Sequence, residues 1–287
     1  MKNQVLSFLI KIMPKGFLAQ FRHSDWAKPI RRLVNRNTDN RLRILDIDIH
    51  YNVHGIPVDF RFSANPKPAL KAAKNGLENK IIHRVYEYAK SVPQGHIVDV
   101  GTNFGFLSTV WSKTLPQLKV VGFEADPSVH AIFKKNVEFN QLSNYQLHNK
   151  AISSVPGTLQ FKTAIHVENM VYDENHAVEA TTLDAEFKQR TIPVIAIKID
   201  TDGHDFDCVK GAKKLIAEDH PMVVIELNKD LAIPAFFFDM GYELYDMNLT
   251  RITSLNQIDI NLPKFENLFC FHPDRPEYKQ FKQEHNL

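Results

Sequence analysis

The sequence predicts an α/β fold: a mostly parallel seven-stranded sheet with helices on both faces, preceded by an N-terminal helical segment and a β-hairpin. Three observations point there. From Gly95 onward, short apolar runs alternate with amphipathic helical patterns, the order that builds a parallel sheet covered on both sides. The first of these runs ends in an acid and a glycine-punctuated turn, Ile97-Val98-Asp99-Val100-Gly101-Thr102-Asn103-Phe104-Gly105, which opens a helix. A second acid, Glu124, closes the next run about 20 residues after the turn.

A chain of 287 residues with 44% hydrophobic and 24% charged side chains can bury a large core, which excludes disordered and fibrous classes. Its 11 glycines are roughly half the usual ~7% share, so each marks a position where the backbone needs one. Cys208 and Cys270 make no disulfide framework and lack zinc-type spacing, which fits a reducing, cytoplasmic setting. The apolar run over residues 5–10 is too short for a membrane span and has no cleavage site behind it.

Charge is uneven along the chain. Residues 1–43 hold ten Lys/Arg against two Asp, a net +8, while the other 244 residues hold 25 against 31 Asp/Glu, a net −6. Within that basic end, Val5, Phe8, Leu9, Ile12, Met13, Phe17, Leu18 and Phe21 recur at helical spacing. One or two amphipathic helices there either pack on the domain behind them or touch an anionic membrane surface peripherally, at its inner face. No sheet-based aromatic motif or spaced basic repeat accompanies the charge, so nucleic acid is not an expected partner.

Ile47, Ile49, Tyr51 and Val53, then Val58, Phe60 and Phe62, alternate on either side of Gly55 and predict the hairpin. Residues 63–74, with Pro66 and Pro68, predict a linker, dividing the chain into an extension (1–74) and a main domain (75–287). A helix over 77–91 enters that domain. Strands are predicted at 96–100, 119–124, 145–152, 194–200, 222–227, 242–247 and 267–271. Helices fall at 106–113, 128–140, 206–218 and 231–240, and Gly241 stands where a helix end favours a left-handed residue. The insertion 153–192 carries a strand near 158–163, and its Glu168, Tyr172, Asp173 and Glu174 form either an acceptor-binding lid or a structural flap.

Small residues in the turn after Val100 admit close backbone approach by a ligand, and the helix start offers unpaired N–H groups. A dinucleotide pattern G-x-G-x-x-G would place glycine where Asn103 stands, so a nicotinamide-dependent oxidoreductase is the weaker alternative. A carboxylate at Glu124 accepts ribose hydroxyls. Turn and acid together point to an adenosine-containing ligand.

Five segments carry a family resemblance: DVGTNFGFLS (99–108), GFEADP (122–127), KAISSVPGTLQF (150–161), TTLDAEF (181–187) and IKIDTDGHDFDCVKGA (197–212). Through them the chain resembles the FkbM group of class I S-adenosylmethionine-dependent methyltransferases over roughly residues 47–271. It departs from that group at Asp200-Thr201-Asp202-Gly203-His204-Asp205, where members often carry a DVEGAE-type sequence. The resemblance implies that Asp99, Gly101, Asn103 and Gly105, with Thr102 and Phe104 between them, surround the methionine part of S-adenosyl-L-methionine. It also implies that Glu124, with Ala125 beside it, holds the ribose, that Lys150, Ala151 and Ile152 pass the adenine, and that Asp200 lies near the sulfonium. O-methylation of a hydroxyl on a sugar, glycolipid or secondary metabolite follows, with a small-molecule or glycan acceptor.

The acceptor's proton needs a base, and His204 or Asp200 is the expected one, with Asp202 in the same loop. A metal-assisted variant would use Asp200, Glu226 and Asn228 to hold a magnesium-like divalent cation; otherwise Asp200 and Asp202 cap the next helix. Cys208 reads as a small core residue, and His148, His166 and His176 lack ligand spacing. The competing reading is a non-catalytic, membrane-associated binding protein that retains the fold.

Overall fold

The computed structural model describes residues 44–162 and 175–287. The helices expected within residues 1–43, and Glu168, Tyr172, Asp173 and Glu174 of the insertion, lie outside the described residues. An antiparallel hairpin, β1 (Leu45–Val53) and β2 (Ile56–Ala64), leads into helices α1 (Pro66–Asn75) and α2 (Asn79–Ala89). Then follow β3 (His96–Val100), α3 (Phe106–Thr114), β4 (Lys119–Phe123), α4 (Pro127–Asn140), β5 (Tyr145–His148), β6 (Ala151–Ile152), β7 (Gly157–Lys162) and β8 (Asn175–Thr181). The chain continues through α5 (Leu183–Glu186), β9 (Val194–Ile199), α6 (Asp205–Lys210), α7 (Lys213–Asp219), β10 (Met222–Glu226) and α8 (Ala232–Asp239). It closes with β11 (Glu243–Tyr245), β12 (Arg251–Ile252), β13 (Asn267–Phe271) and α9 (Pro276–His285).

The main sheet has the order β12-β11-β13-β10-β9-β3-β4-β5. It is therefore an eight-stranded mixed sheet and not the expected seven-stranded, mostly parallel one. Five neighbouring strands, β10 to β5, are parallel, and β13, β11 and β12 join antiparallel. The extra strand is a two-residue ladder that alternation cannot reveal. It forms because Asp246 closes a tight turn, accepting the N–H groups of Asn248 (2.8 Å) and Thr250 (2.9 Å). Strand order reverses between β3 and β9, the place where open α/β sheets bind ligands beyond their strand ends.

Alternate residues of each buried strand feed opposite faces. One core holds Ile97, Val120 and Val224 with the hairpin, α2, α3 and α9; the other holds Val98, Val121 and Val223 with Cys208, Leu215 and Phe237. No helix among the described residues is long and apolar enough to cross a membrane.

Several expected boundaries shift for local reasons. Residues 63–74 are not a linker: β2 runs to Ala64, and α1 starts with Pro66 and Pro68 in its first turn, where no N–H is needed. The strand expected over 145–152 breaks, because β6 leaves the main sheet to pair with β8, which also pairs with β7. The helix expected over 206–218 divides at Gly211, whose carbonyl accepts the Asp184 N–H (2.9 Å) while the Asp184 carboxylate caps α7 through Leu215 N–H (2.8 Å). The strand expected over 242–247 shortens to β11, and Gly241 takes the predicted left-handed conformation at φ 80°.

The hairpin is joined to the sheet domain through asparagine amides. Asn136, fully buried on α4, accepts the Ser63 N–H (2.7 Å) and donates to the carbonyls of Ser63 and Phe104 (both 2.9 Å). One turn later Asn140 repeats the pattern on Arg61, accepting its N–H at 2.9 Å and donating to its carbonyl at 2.7 Å. The outer edge of β2 is thus paired by side chains as though by another strand. Asn136→Ala would orphan three backbone groups, two of them on buried Ser63, and is expected to cost about 3 kcal/mol in chemical denaturation. Asn140→Ala, at the more exposed pair, should cost about 1 kcal/mol.

Candidate active site

Asp99, next to last in β3, is almost fully buried, and in the parallel register it lies directly across from Lys198 of β9. Lys198 is the single charged residue of a strand otherwise made of Val, Ile and Ala. Its ammonium sits 3.0 Å from the Asp200 carboxylate and 4.0 Å from that of Asp99. Burial disfavours this charge, yet Asp200, Glu78 and Asp99 outweigh it and hold Lys198 above the usual lysine range. Burial pushes the Asp99 carboxyl up, partly offset by Lys198 and by the Ser108 hydroxyl, which donates to Oδ2. Asp99 Oδ1 has no hydrogen-bond partner.

The turn after β3 is built from left-handed residues: Gly101 at φ 76°, Asn103 at φ 52° and Gly105 at φ 78°. A Cβ on Gly101 would overlap the carbonyl oxygen of Asp200, and one on Gly105 would enter the Phe133 ring of α4. The two glycines are therefore required by packing of the chain on itself, in addition to any ligand. Asn103 takes the conformation a glycine would, which asparagine tolerates better than other side chains. Its N–H donates to Glu124 Oε2 at 2.8 Å, and the Asp126 N–H donates to Oε1 at 2.9 Å. Burial nevertheless lifts the Glu124 carboxyl to about 7, the two N–H groups opposing it. Thr102 and Phe104 are buried between these residues, and the Thr102 hydroxyl lacks a partner.

The remaining predicted cofactor positions divide. Ala125 follows Glu124, and its carbonyl accepts from the Asn149 amide (3.1 Å). Lys150 turns toward the insertion, with its ammonium 3.0 Å from both Glu179 and Glu186. Ala151 and Ile152 form β6, and the Ile152 carbonyl accepts from the Cys208 thiol (3.2 Å). Cys208 is a buried core residue whose thiol burial pushes up to about 12.

Beyond β9, the carboxylates of Asp200, Asp202 and Glu226 come within 4.8 Å of one another. Burial and then the Asp200 charge push the Glu226 carboxyl up to about 7. Asp205 does not face outward: it is 1% exposed and accepts from the N–H groups of Thr201 (2.9 Å) and Gly203 (3.1 Å) and from the Asn228 amide. Asn228 also donates to Glu226 (2.9 Å), so it serves as a donor to carboxylates, and the third acid grouped with Asp200 and Glu226 is Asp202. His204 is exposed at the start of α6, and Asp202 is exposed with a left-handed backbone at φ 51°.

Sequence reasoning passed over Lys198, which thus enters the site, and it named Glu226 only as a metal ligand, not as an acid lifted toward neutrality. The signal for the lysine was legible: a lone ammonium inside an apolar strand needs a buried counter-charge. Lys198→Met should lower stability by about 3 kcal/mol at about pH 8. The loss should shrink at a lower pH, because the Asp99 carboxyl, raised by burial, recovers stability as it takes up a proton. Urea denaturation at the two pH values measures both.

The Methyltransferase FkbM domain family matches residues 99–244. The chain is 22% identical over 178 residues to "Methyltransferase 1" of Beauveria bassiana (strain ARSEF 2860), covering 52% of this chain and 72% of that one. Among solved structures, it is similar to Methyltransferase FkbM of Methylobacillus flagellatus KT at 16% identity and a TM-score of 0.44. That likeness covers 62% of this chain but 44% of the other, so the chain spans less than half the length of that protein. It is also similar to SMU.1697c, a putative methyltransferase from Streptococcus mutans in complex with SAH, at 14% identity and a TM-score of 0.41, covering 66% and 97% of the two chains.

Proposed function

The chain belongs to the FkbM methyltransferase family, and on that premise we propose that it transfers a methyl group from S-adenosylmethionine to a hydroxyl oxygen of a sugar, glycoside or similar secondary metabolite. The observation that carries this reading is the pair of buried acids at the reversal of strand order. Asp99 has a carboxylate oxygen there that accepts no hydrogen bond, with the Lys198 ammonium 4.0 Å away, and Glu124 is lifted to about 7 by burial. A cationic, hydroxyl-bearing ligand answers both. Asp99 is suited to the methionine ammonium and Glu124 to the ribose hydroxyls, with Gly101, Thr102, Asn103, Phe104 and Gly105 forming the turn between them. S-adenosylmethionine, when bound, supplies an electrophilic methyl group on a sulfonium centre.

The protein's own tasks are alignment and proton removal. Lys198 holds Asp200 in place through the 3.0 Å ion pair. Asp200 and Glu226 form the carboxyl pair that takes the acceptor's hydroxyl proton as its oxygen bonds to the methyl group. Glu226, lifted to about 7, is a stronger base than an ordinary carboxylate and still ionises near neutrality. Exposed His204 has no comparable anchoring.

Ribose hydroxyls need an ionised Glu124, so S-adenosylmethionine affinity should weaken as pH falls through about 7. Glu124→Gln should remove that dependence and weaken binding about tenfold or more, read by calorimetry. A chain that bound the cofactor with the same affinity with and without Glu124, at every pH, would sink this assignment. In turnover, kcat should rise with pH through about 7, and Glu226→Gln should flatten that limb while leaving cofactor affinity unchanged.

A further inference from the structure

A groove of about 380 Å³ opens on the strand-end rim beside the acid pair, within the volume range of small-molecule sites. One side is the end of β10, Glu226 through Lys229, and the other is the segment from Ile260 to Glu266 between β12 and β13. The two sides are tied: the Leu227 N–H donates to the Glu266 carbonyl at 2.9 Å. The far wall is anchored by buried Phe265 and by the Met247 N–H, which donates to the Lys264 carbonyl at 3.0 Å. The groove is thus preformed. It also adjoins the cofactor turn, because Glu226 is grouped with Asp200, whose carbonyl packs against Gly101.

Its chemistry is lopsided. Asn228 commits both amide hydrogens, to Asp205 and Glu226, and Asn261 commits one of its two to Asp259 at 3.2 Å. Both therefore offer carbonyl oxygens, joined by the carboxylates of Glu226 and Glu266, and Lys229 is the one cation among the lining residues. Acceptors thus outnumber donors and favour a ligand that brings hydroxyl groups, and a phosphate or carboxylate would meet like charge at Glu226 and Glu266. Leu262 on the same wall is 44% exposed beside Ile260, apolar surface that an acceptor's ring face or aliphatic edge would cover.

We propose that this groove binds the methyl acceptor and selects an uncharged polyol with one apolar edge, such as a glycoside, over anionic acceptors. The inference rests on the methyltransferase reading above and deepens it. The far wall lies outside the family-matched residues 99–244, whereas the wall from Glu226 to Lys229 lies within them.

The test uses the full chain with methyl-labelled S-adenosylmethionine and an extract of its source cells, separated by anion exchange into neutral and anionic fractions. Label is expected in the neutral fraction. Leu262→Asp and Asn261→Asp, both at exposed positions, should raise the KM for that fraction about tenfold or more, with cofactor affinity and melting temperature unchanged. Label confined to the anionic fraction, or variants that methylate the neutral fraction like the unaltered chain, would overturn the groove assignment while leaving methyl transfer standing. Cofactor binding without label in any fraction would overturn the methyltransferase reading itself, and the groove assignment with it.

Discussion

A single buried ammonium, Lys198, constrains how the centre of the sheet is assembled. Its strand is apolar on both faces apart from this residue, so the charge must meet a carboxylate wherever the strand docks. The register that places it across from Asp99 satisfies this, and its own neighbour Asp200 completes the pairing. A one-residue slip between β3 and β9 would exchange the faces and leave the ammonium against hydrocarbon. With register set, the Asp200 carbonyl comes against Gly101, and the turn after β3 has only one way to run. The ion cluster thus sits in the β3–β9 register at the reversal of strand order around which the site is built.

Support for that turn links the matched residues 99–244 to the hairpin outside them. Asn136 of α4 grips the Phe104 carbonyl with the same amide that holds the Ser63 backbone of the hairpin. The hairpin, α2 and α9 share one hydrophobic core with α3 and one face of the sheet. Glu78, at the start of α2, adds its charge to the field around Lys198. The N-terminal hairpin is in this sense a structural buttress of the ligand turn, packed as interior and not as an appendage.

Around the strand ends the balance of charge is strongly acidic: Asp99, Glu124, Asp200, Asp202, Asp205 and Glu226 stand there, and of these Asp99 and Asp200 pair with buried Lys198. Their burial separates them into roles. Asp205 spends its oxygens on N–H groups of its own loop, and Glu124 holds two backbone N–H groups while its carboxyl sits near 7. Asp200 and Glu226 are left close enough that ionising one raises the other. Such a rim favours cationic and donor-rich ligands, consistent with a sulfonium cofactor and a hydroxyl-bearing acceptor.

Much of this was legible in the residues themselves. Apolar runs and helical spacing mark β3, β4, β9, β10 and α4, because periodic burial is written locally, and Asp99, Gly101, Gly105 and Glu124 stand at the strand ends where motif and spacing place them. The proline-started α1 was hidden because proline reads as a breaker until its place in the first turn is known. β12 and the break at Gly211 were hidden because they depend on the Asp246 turn and the Asp184 cap, contacts that no local period records. Which acids are spent on the backbone and which remain to act on a ligand was decided only when strand ends far apart in sequence were brought together. Desolvation and charge coupling act between neighbours in space, and the chain by itself lists only neighbours in order.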